Sequence, residues 1–337
     1  MPLGGLEALD ADILLVGGLG YLGYNIARYY ASRGAAGRVL VVARRRSAER
    51  RRVLLDLLRR LGVNVDYSLE SLSGGAAERF IAARGCPRLV YLLTGKLRGA
   101  RRLVWEANVE VPRSWAEALA ASCPGAVVVY ASTVAAAGDA SACASDGVVV
   151  EEEEHLRGCR PLGEAGEAKA EAERRLLQLC DGLRVLILRL GLLVGEAAYH
   201  REWRLFLRLA GLGLAPQPRD VGVNITPAMD VAGAAEAFAA GGEACSWAYA
   251  APWRVGLADI VEALAAALGR RVVRVPVPAA LLYLTREGRL LVKLGRYRYA
   301  TRRGWLRSYP WTPARKALEE AARWLASSRH ILKLLPG

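Results

Sequence analysis

The chain has 337 residues, 53% of them hydrophobic, and its 47 basic and 33 acidic side chains leave a net charge of +14. That length accommodates one large α/β domain or a nucleotide-binding domain with a smaller lobe, and either buries a substantial core. No charge-free apolar stretch is long enough to span a bilayer, and the N-terminus lacks the basic-then-apolar layout of a secretion signal, so the expected compartment is the cytoplasm.

The first element is the most informative. Ile13-Leu-Leu-Val16 runs into glycines at 17, 18, 20 and 23, and a helical pattern begins at Tyr21. Gly18, Gly20 and Gly23 fit G-x-G-x-x-G in the strand-turn-helix setting that this motif requires. Glycine turns tightly, lets the backbone approach a pyrophosphate and packs the helix on the strand, leaving the phosphates on a helix N-terminus. Gly17, Gly18, Gly20, Tyr21, Leu22 and Gly23 are therefore the candidate dinucleotide contacts.

Strands are expected at Val39–Val42, Val63–Tyr67, Leu89–Leu93, Ala126–Tyr130 and Leu183–Leu190, with helices at Tyr21–Ser32, Ala48–Leu61, Arg101–Ser122 and Glu164–Cys180. This alternation predicts an α/β fold with a Rossmann-like, doubly wound parallel sheet. After Gly195 prolines break the pattern into short pieces. Residues 1–195 are thus expected to form the dinucleotide-binding domain and 196–337 a smaller substrate-side lobe packed on it.

The end of the second strand reads Val41-Val42-Ala43-Arg44-Arg45-Arg46. A carboxylate there would bind the ribose 2'-hydroxyl of NAD, whereas arginine accommodates the 2'-phosphate of NADP. Arg44 and Arg45 favour NADP(H), with NAD(H) as the second choice. The charge itself does not point to nucleic acid: five lysines leave 42 arginines spread along the chain, which reads as compositional bias rather than a binding face. Arginine enrichment with very few amides is also compatible with a heat-adapted source. Six cysteines (86, 123, 143, 159, 180, 245) form no C-x-x-C pair, and His155, His200 and His330 lack ligand spacing, so reduced thiols and no metal site are expected. From Pro276 to Trp311 leucines interleave with arginines. The ordinary reading is a core-facing helix with a solvated face; a peripheral membrane or protein partner is the minority one, and a homodimer is left open.

Beyond the glycine turn, the chain resembles the extended short-chain dehydrogenase/reductase family, which includes sugar-nucleotide epimerases and dehydratases. Asn108 in Glu-Ala-Asn-Val matches the family's helix asparagine. Tyr130-Ala-Ser-Thr-Val134, ending at Gly138-Asp139, matches the strand with its catalytic serine or threonine, at Thr133. Arg189-Leu-Gly191, Pro227-Ala-Met-Asp230 and Trp311-Thr-Pro313 resemble later family segments. Leu92-Leu-Thr94-Gly95-Lys96 replaces the usual Ala-Ala after the fourth strand, as in atypical members, and Thr94 and Gly95 join the expected cofactor contacts.

One departure matters most. The resemblance implies a tyrosine four residues before a lysine on one helix face, and here the lysine is Lys169 but the tyrosine position is Ala165. Lys169 is expected to bind the nicotinamide ribose and, with Thr133, to be what remains of the catalytic set. Two function classes follow. One is an oxidoreductase or epimerase of altered mechanism acting on an unknown small molecule, with Tyr199 the first substitute acid to test, ahead of His200, His155, Glu164 and Glu167. The other is a catalytically inactive, nucleotide-binding structural or regulatory protein.

Overall fold

β1 (Ile13–Val16) is buried at all four positions, as a strand covered on both faces must be. β2 (Val39–Arg44), β3 (Asn64–Leu69), β4 (Leu89–Leu92) and β5 (Val127–Thr133) follow it, and all but β3, the half-buried edge strand, have similarly apolar cores. Later strands are β6 (Val148–Val150), β7 (Arg184–Leu190), β8 (Leu192–Val194), β9 (Leu214–Pro218), β10 (Gly222–Pro227), β11 (Cys245–Ala250), β12 (Trp253–Gly256), β13 (Val273–Val277) and β14 (Arg298–Ala300). In this computed structural model, which describes residues 12–97, 99–139, 144, 147–150, 159–241 and 243–328, seven strands form one sheet in the order β11-β7-β5-β4-β1-β2-β3. β1 pairs in parallel with β2 and β4, β2 with β3, and β4 with β5. The chain winds from β1 toward β3 and then restarts at β4 on the other side of β1. The loops leaving β1 and β4 consequently diverge from neighbouring strand ends, and in a doubly wound sheet that switch point is where a ligand crevice opens.

The helices of this half are α1 (Tyr21–Ala31), α2 (Arg45–Arg50), α3 (Arg52–Arg60), α4 (Ala76–Arg84), α5 (Arg101–Trp105) and α6 (Val111–Ser122). Two differ from expectation. The helix expected over 48–61 breaks at Arg51, whose φ of −125° and ψ of 38° leave the helical region. The helix expected over 101–122 passes through a π turn at Glu106–Glu110. α4 and the sheet strand β11 have no counterpart among the expected elements.

The chain divides into two compact units. The first comprises 1–131, 171–187 and 238–246, and the second 132–170, 188–237 and 247–337. α7 (Gly163–Leu177) begins in the second and ends in the first. Within the second unit lie α8 (Arg201–Leu212), α9 (Asp230–Ala240) with its last residues in the first, α10 (Leu257–Ala267), α11 (Ala279–Leu282), α12 (Arg286–Gly295) and α14 (Ala314–Ser327), after the short α13 (Gly304–Arg307). Asp230, at the start of α9, accepts hydrogen bonds from the backbone N–H and hydroxyl of Thr312 at 2.5 and 3.0 Å, which ties the family-like Pro227–Asp230 segment to Trp311–Pro313. Among the described residues no helix is long and apolar enough to cross a membrane.

The cysteines correct the sequence reading. Cys86 is bonded to Cys123 and Cys180 to Cys245, with Cα–Cα distances of 5.4 and 5.9 Å, Cys159 is disulfide-bonded too, and no described cysteine is free. Both named bridges lie in the first unit and join residues 37 and 65 positions apart, partners that linear spacing does not reveal. Closing loops of that length stabilises a native state by about 4 kcal/mol per bridge. Guanidinium unfolding with and without reductant should show that loss, and Cys180→Ser should reproduce its share in oxidising buffer.

Candidate functional site

The four glycines of the first turn are there for different reasons. Gly17 has φ +74°, and a Cβ on it would lie 2.6 Å from Thr94 Cγ2. A Cβ on Gly18 would lie 2.6 Å from that of Leu15, and one on Gly23 only 1.9 Å from the carbonyl oxygen of Gly18. These three positions are closed by the protein's own atoms. Gly20 is not. Its backbone is extended, a conformation open to any residue, and the nearest atom to a Cβ there is Arg51 Nη1 at 3.9 Å. Neither conformation nor packing demands glycine at 20, so the space in front of it is what the residue preserves.

Gly20 is also the N-cap of α1 and supplies no capping side chain. The first-turn amides of Tyr21, Leu22 and Gly23 are directed out of the helix end, where its dipole is positive. Arg51, at the break between α2 and α3, donates from Nη1 to the carbonyl of Leu19 at 2.7 Å. It therefore sits beside the glycine turn, where the sequence reading had placed only Arg44 and Arg45. An arginine in a chain with 42 of them carries no local signal; the helix break that aims it was not legible.

Arg44 is exposed at the end of β2. Arg45 faces Glu70 at 3.2 Å, both largely exposed. A carboxylate that follows β3 thus stands beside the arginine cluster, because β3 delivers its own C-terminal end next to that of β2. In a high-dielectric setting such a pair is weak and yields to a competing phosphate.

The other wall of the crevice in this unit is the loop after β4. Thr94 is buried against Gly17, with Gly95 next to it. Asn108 fixes the loop's far side: in the π turn, its Nδ2 donates to the carbonyls of Lys96 and Val104, each at 2.8 Å. The Asn108 carbonyl in turn accepts from Tyr130 Oη at 2.7 Å. π turns put backbone groups where an α-helix cannot, and here one secures a loop to a helix and a central strand. Burial, with the Glu173 carboxylate adding, holds the Tyr130 phenol well above its ordinary range, so it remains a donor.

In the second unit, Thr133 ends β5 and caps a short 3₁₀ turn, its Oγ1 accepting from the Ala135 N–H at 3.2 Å. The carbonyl of Ala135 accepts from Leu162 N at 2.9 Å, and a Cβ on Gly166 would stand 2.6 Å from it. Gly166 thereby seats the first turns of α7 directly on the turn that Thr133 begins. Lys169 is buried on the same helix, one turn after half-buried Ala165. The turn that Thr133 begins is thus packed on the helix that carries Ala165 and Lys169. Tyr199 is buried, with its ring centroid 4.7 Å from that of His200; Glu164 and Glu167 lie on α7 near its start. His155 falls outside the described residues.

Comparison with known proteins fits this arrangement. The sequence profile of the NAD dependent epimerase/dehydratase family matches residues 13–210. No curated protein matches the chain in sequence. Among solved structures, a UDP-galactose 4-epimerase is similar with TM-score 0.65 and 20% identity, over 94% of this chain and 99% of that one. The Bordetella bronchiseptica enzyme WbmG, in complex with NAD and UDP, gives 0.68 and 15% over 97% and 96%. The UDP-glucose 4-epimerase of Thermotoga maritima, with UDP-glucose, gives 0.67 and 15% over 94% and 99%. At such identities the likeness is one of fold.

The Asn108–Tyr130 bond carries a pH signature. Tyrosine in the unfolded chain titrates near pH 10 and the folded phenol higher, so the folded state holds its proton more tightly. The resulting stability is complete below about pH 10 and declines as pH rises through the folded value. Tyr130→Phe, which deletes a buried bond, should cost about 1–2 kcal/mol at neutral pH and flatten the alkaline limb of a stability-against-pH curve from chemical unfolding.

Proposed function

The chain belongs to the NAD dependent epimerase/dehydratase family, and from that premise we propose that it binds NADP(H), in preference to NAD(H), at the glycine turn and has a degenerate Tyr-x-x-x-Lys site. The observation that carries the reading is Gly20, a glycine whose absent Cβ meets no protein atom closer than 3.9 Å, leaving a cradle at the mouth of α1 that a pyrophosphate fits. In this reading Gly17, Gly18 and Gly23 shape the turn, the amides of Tyr21, Leu22 and Gly23 meet the phosphates, Thr94 and Gly95 line the other side, and Arg44 and Arg45 take the 2'-phosphate. Residues 1–195 carry the cofactor and 196–337 the substrate side. The compartment we infer is the cytoplasm of a heat-adapted cell, the intracellular setting in which disulfides persist.

When bound, the nicotinamide supplies hydride exchange with a carbonyl or alcohol. Lys169 would hold the nicotinamide ribose through its ammonium group. Thr133, whose Oγ1 accepts from Ala135, keeps its own O–H to donate to a substrate oxygen. Ala165 brings a methyl where the family has a phenol, so no proton is delivered from that position. A positioned acid contributes ~10²–10⁴-fold, and the protein as it stands is a nucleotide binder with little carbonyl chemistry of the usual kind. A second reading, an oxidoreductase or epimerase of altered mechanism, is favoured by one observation: Tyr199 is a buried phenol in the unit that also carries Thr133 and Lys169.

Calorimetric titration tests the binding. NADPH should bind more tightly than NADH, Arg44→Ala/Arg45→Ala should erase about tenfold or more of the difference, and Gly20→Val should abolish binding while its thermal melt stays within about 0.5 kcal/mol of the parent. Retained binding in Gly20→Val would leave the glycine without a role and overturn the reading.

The chemistry has a separate test. Ala165→Tyr should raise NADPH-dependent reduction of a ketone and aldehyde panel by up to ~10⁴-fold over a nearly inactive parent. A parent that already turns over at roughly 1 per second or faster would favour the altered mechanism, and Tyr199→Phe should then silence it.

A further inference from the structure

Large aliphatic side chains stand in solvent along one stretch of the second unit. Leu212 is 71% exposed, Leu214 43%, Val273 68%, Leu281 54% and Leu284 79%. Backbone pairing keeps the first three together. Val273 lies opposite Leu214 and Val275 opposite Pro216 in the β9–β13 ribbon, so these four share a face, and Val273 N donates to the Gly213 carbonyl at 2.9 Å, which brings Leu212 to the same end. The other face of the ribbon is occupied: Ala215 is buried and Arg274, paired opposite it, binds Asp259 and Glu262 of α10 at 3.0 and 2.6 Å. Past Val277 the chain goes through Pro278 directly into α11 and α12, which carry Leu281 and Leu290 with Leu284 between them. Soluble surfaces scatter single apolar residues; a run of this kind marks a contact face.

The surrounding charge says what covers it. Residues 270–296 contain a single acidic residue, Glu287. Arg274 and Lys293 are occupied by Asp259, Glu262 and Asp139 and Arg270 by the Gly211 carbonyl, whereas Arg271, Arg289 and Arg296 are exposed. A second copy of the chain meeting this face by two-fold symmetry would set the same arginines against each other. Strand addition is disfavoured as well, because Pro216, Pro218 and Pro276 remove N–H donors from the ribbon. Aliphatic side chains flanked by arginines, with no strand edge to pair, match an interface in which acyl chains cover the leucines and phosphates meet the guanidiniums.

We propose that the β9–β13 ribbon and the α11–α12 segment dock the protein onto an anionic membrane surface. The test is sedimentation of the full chain with vesicles of phosphatidylcholine alone and of equal parts phosphatidylcholine and phosphatidylglycerol. Partition onto the anionic vesicles should exceed that onto the neutral ones by about tenfold or more, and should fall with added salt. Leu281→Ser/Leu284→Ser and, separately, Arg271→Gln/Arg289→Gln should each reduce it about tenfold, with thermal melts matching the parent because all four side chains are exposed. No sedimentation with anionic vesicles, equal binding to neutral ones, or undiminished binding in either variant overturns the proposal. So does a dimer in light scattering that Leu284→Ser dissociates and that binds no vesicles, which would assign the face to a second copy.

Discussion

The first unit is organised by how closely α1 begins over the end of β1. The Gly18 carbonyl stands where a Cβ on Gly23 would come to within 1.9 Å, so any other residue at 23 lifts the helix off the strand. The same turn is pinned from the side by Thr94 against Gly17, which couples the ends of β1 and β4, the two strands between which the winding reverses. Once those contacts are made, Gly20 is left facing open space at the helix's positive end. That open space follows from packing constraints on its neighbours and needs no strain of its own.

The second constraint concerns the packing beneath Ala165. Gly166 lets α7 rest on the Ala135 carbonyl, and this contact fixes the helical phase that puts Ala165 and Lys169 one turn apart beside the turn begun by Thr133. A side chain longer than alanine at 165 would start from a helix already held in place by that contact. For that reason a single substitution at 165 is an informative experiment.

Much of this was legible in the residues. Strands β1, β2, β4, β5 and β7 announce themselves as apolar runs, because a strand buried on both faces has no other composition available, whereas β3, half-buried at the sheet edge, shows alternation instead, and the glycine pattern names its own turn. Other features depend on partners distant in sequence. The break that aims Arg51 follows from no local residue preference, since 44–46 and 50–52 are both runs of three arginines. Glu70 meets Arg45 only because β3 is laid beside β2, and the disulfides join positions 37 and 65 apart. In the second unit, short strands are supported by pairing rather than by apolar period: β9 and β13 contain three prolines between them, which reads as irregular chain until each strand is seen to have the other.

The basic composition takes on a different meaning in the fold. The chain holds only four asparagines and two glutamines, so neutral amide donors are scarce, and arginine meets carbonyl groups that they would otherwise serve. Arg184 donates to the carbonyls of Phe238 and Ala239 at 2.9 Å, closing the C-terminal turn of α9, and to that of Glu243 at 3.2 Å. Arg254 joins the carbonyls of Asp220 and Gly295, and Arg189 is buried over Trp247, 4.6 Å from its ring centroid. A cation at a helix C-terminus also meets the negative end of its dipole. Much of the excess of +14 is therefore engaged in holding loops and helix ends, and a strongly basic total is no measure of affinity for a polyanion. Among the described residues, Arg271, Arg289 and Arg296 have no such carbonyl to hold and stand exposed on the stretch that also exposes Val273, Leu281, Leu284 and Leu290.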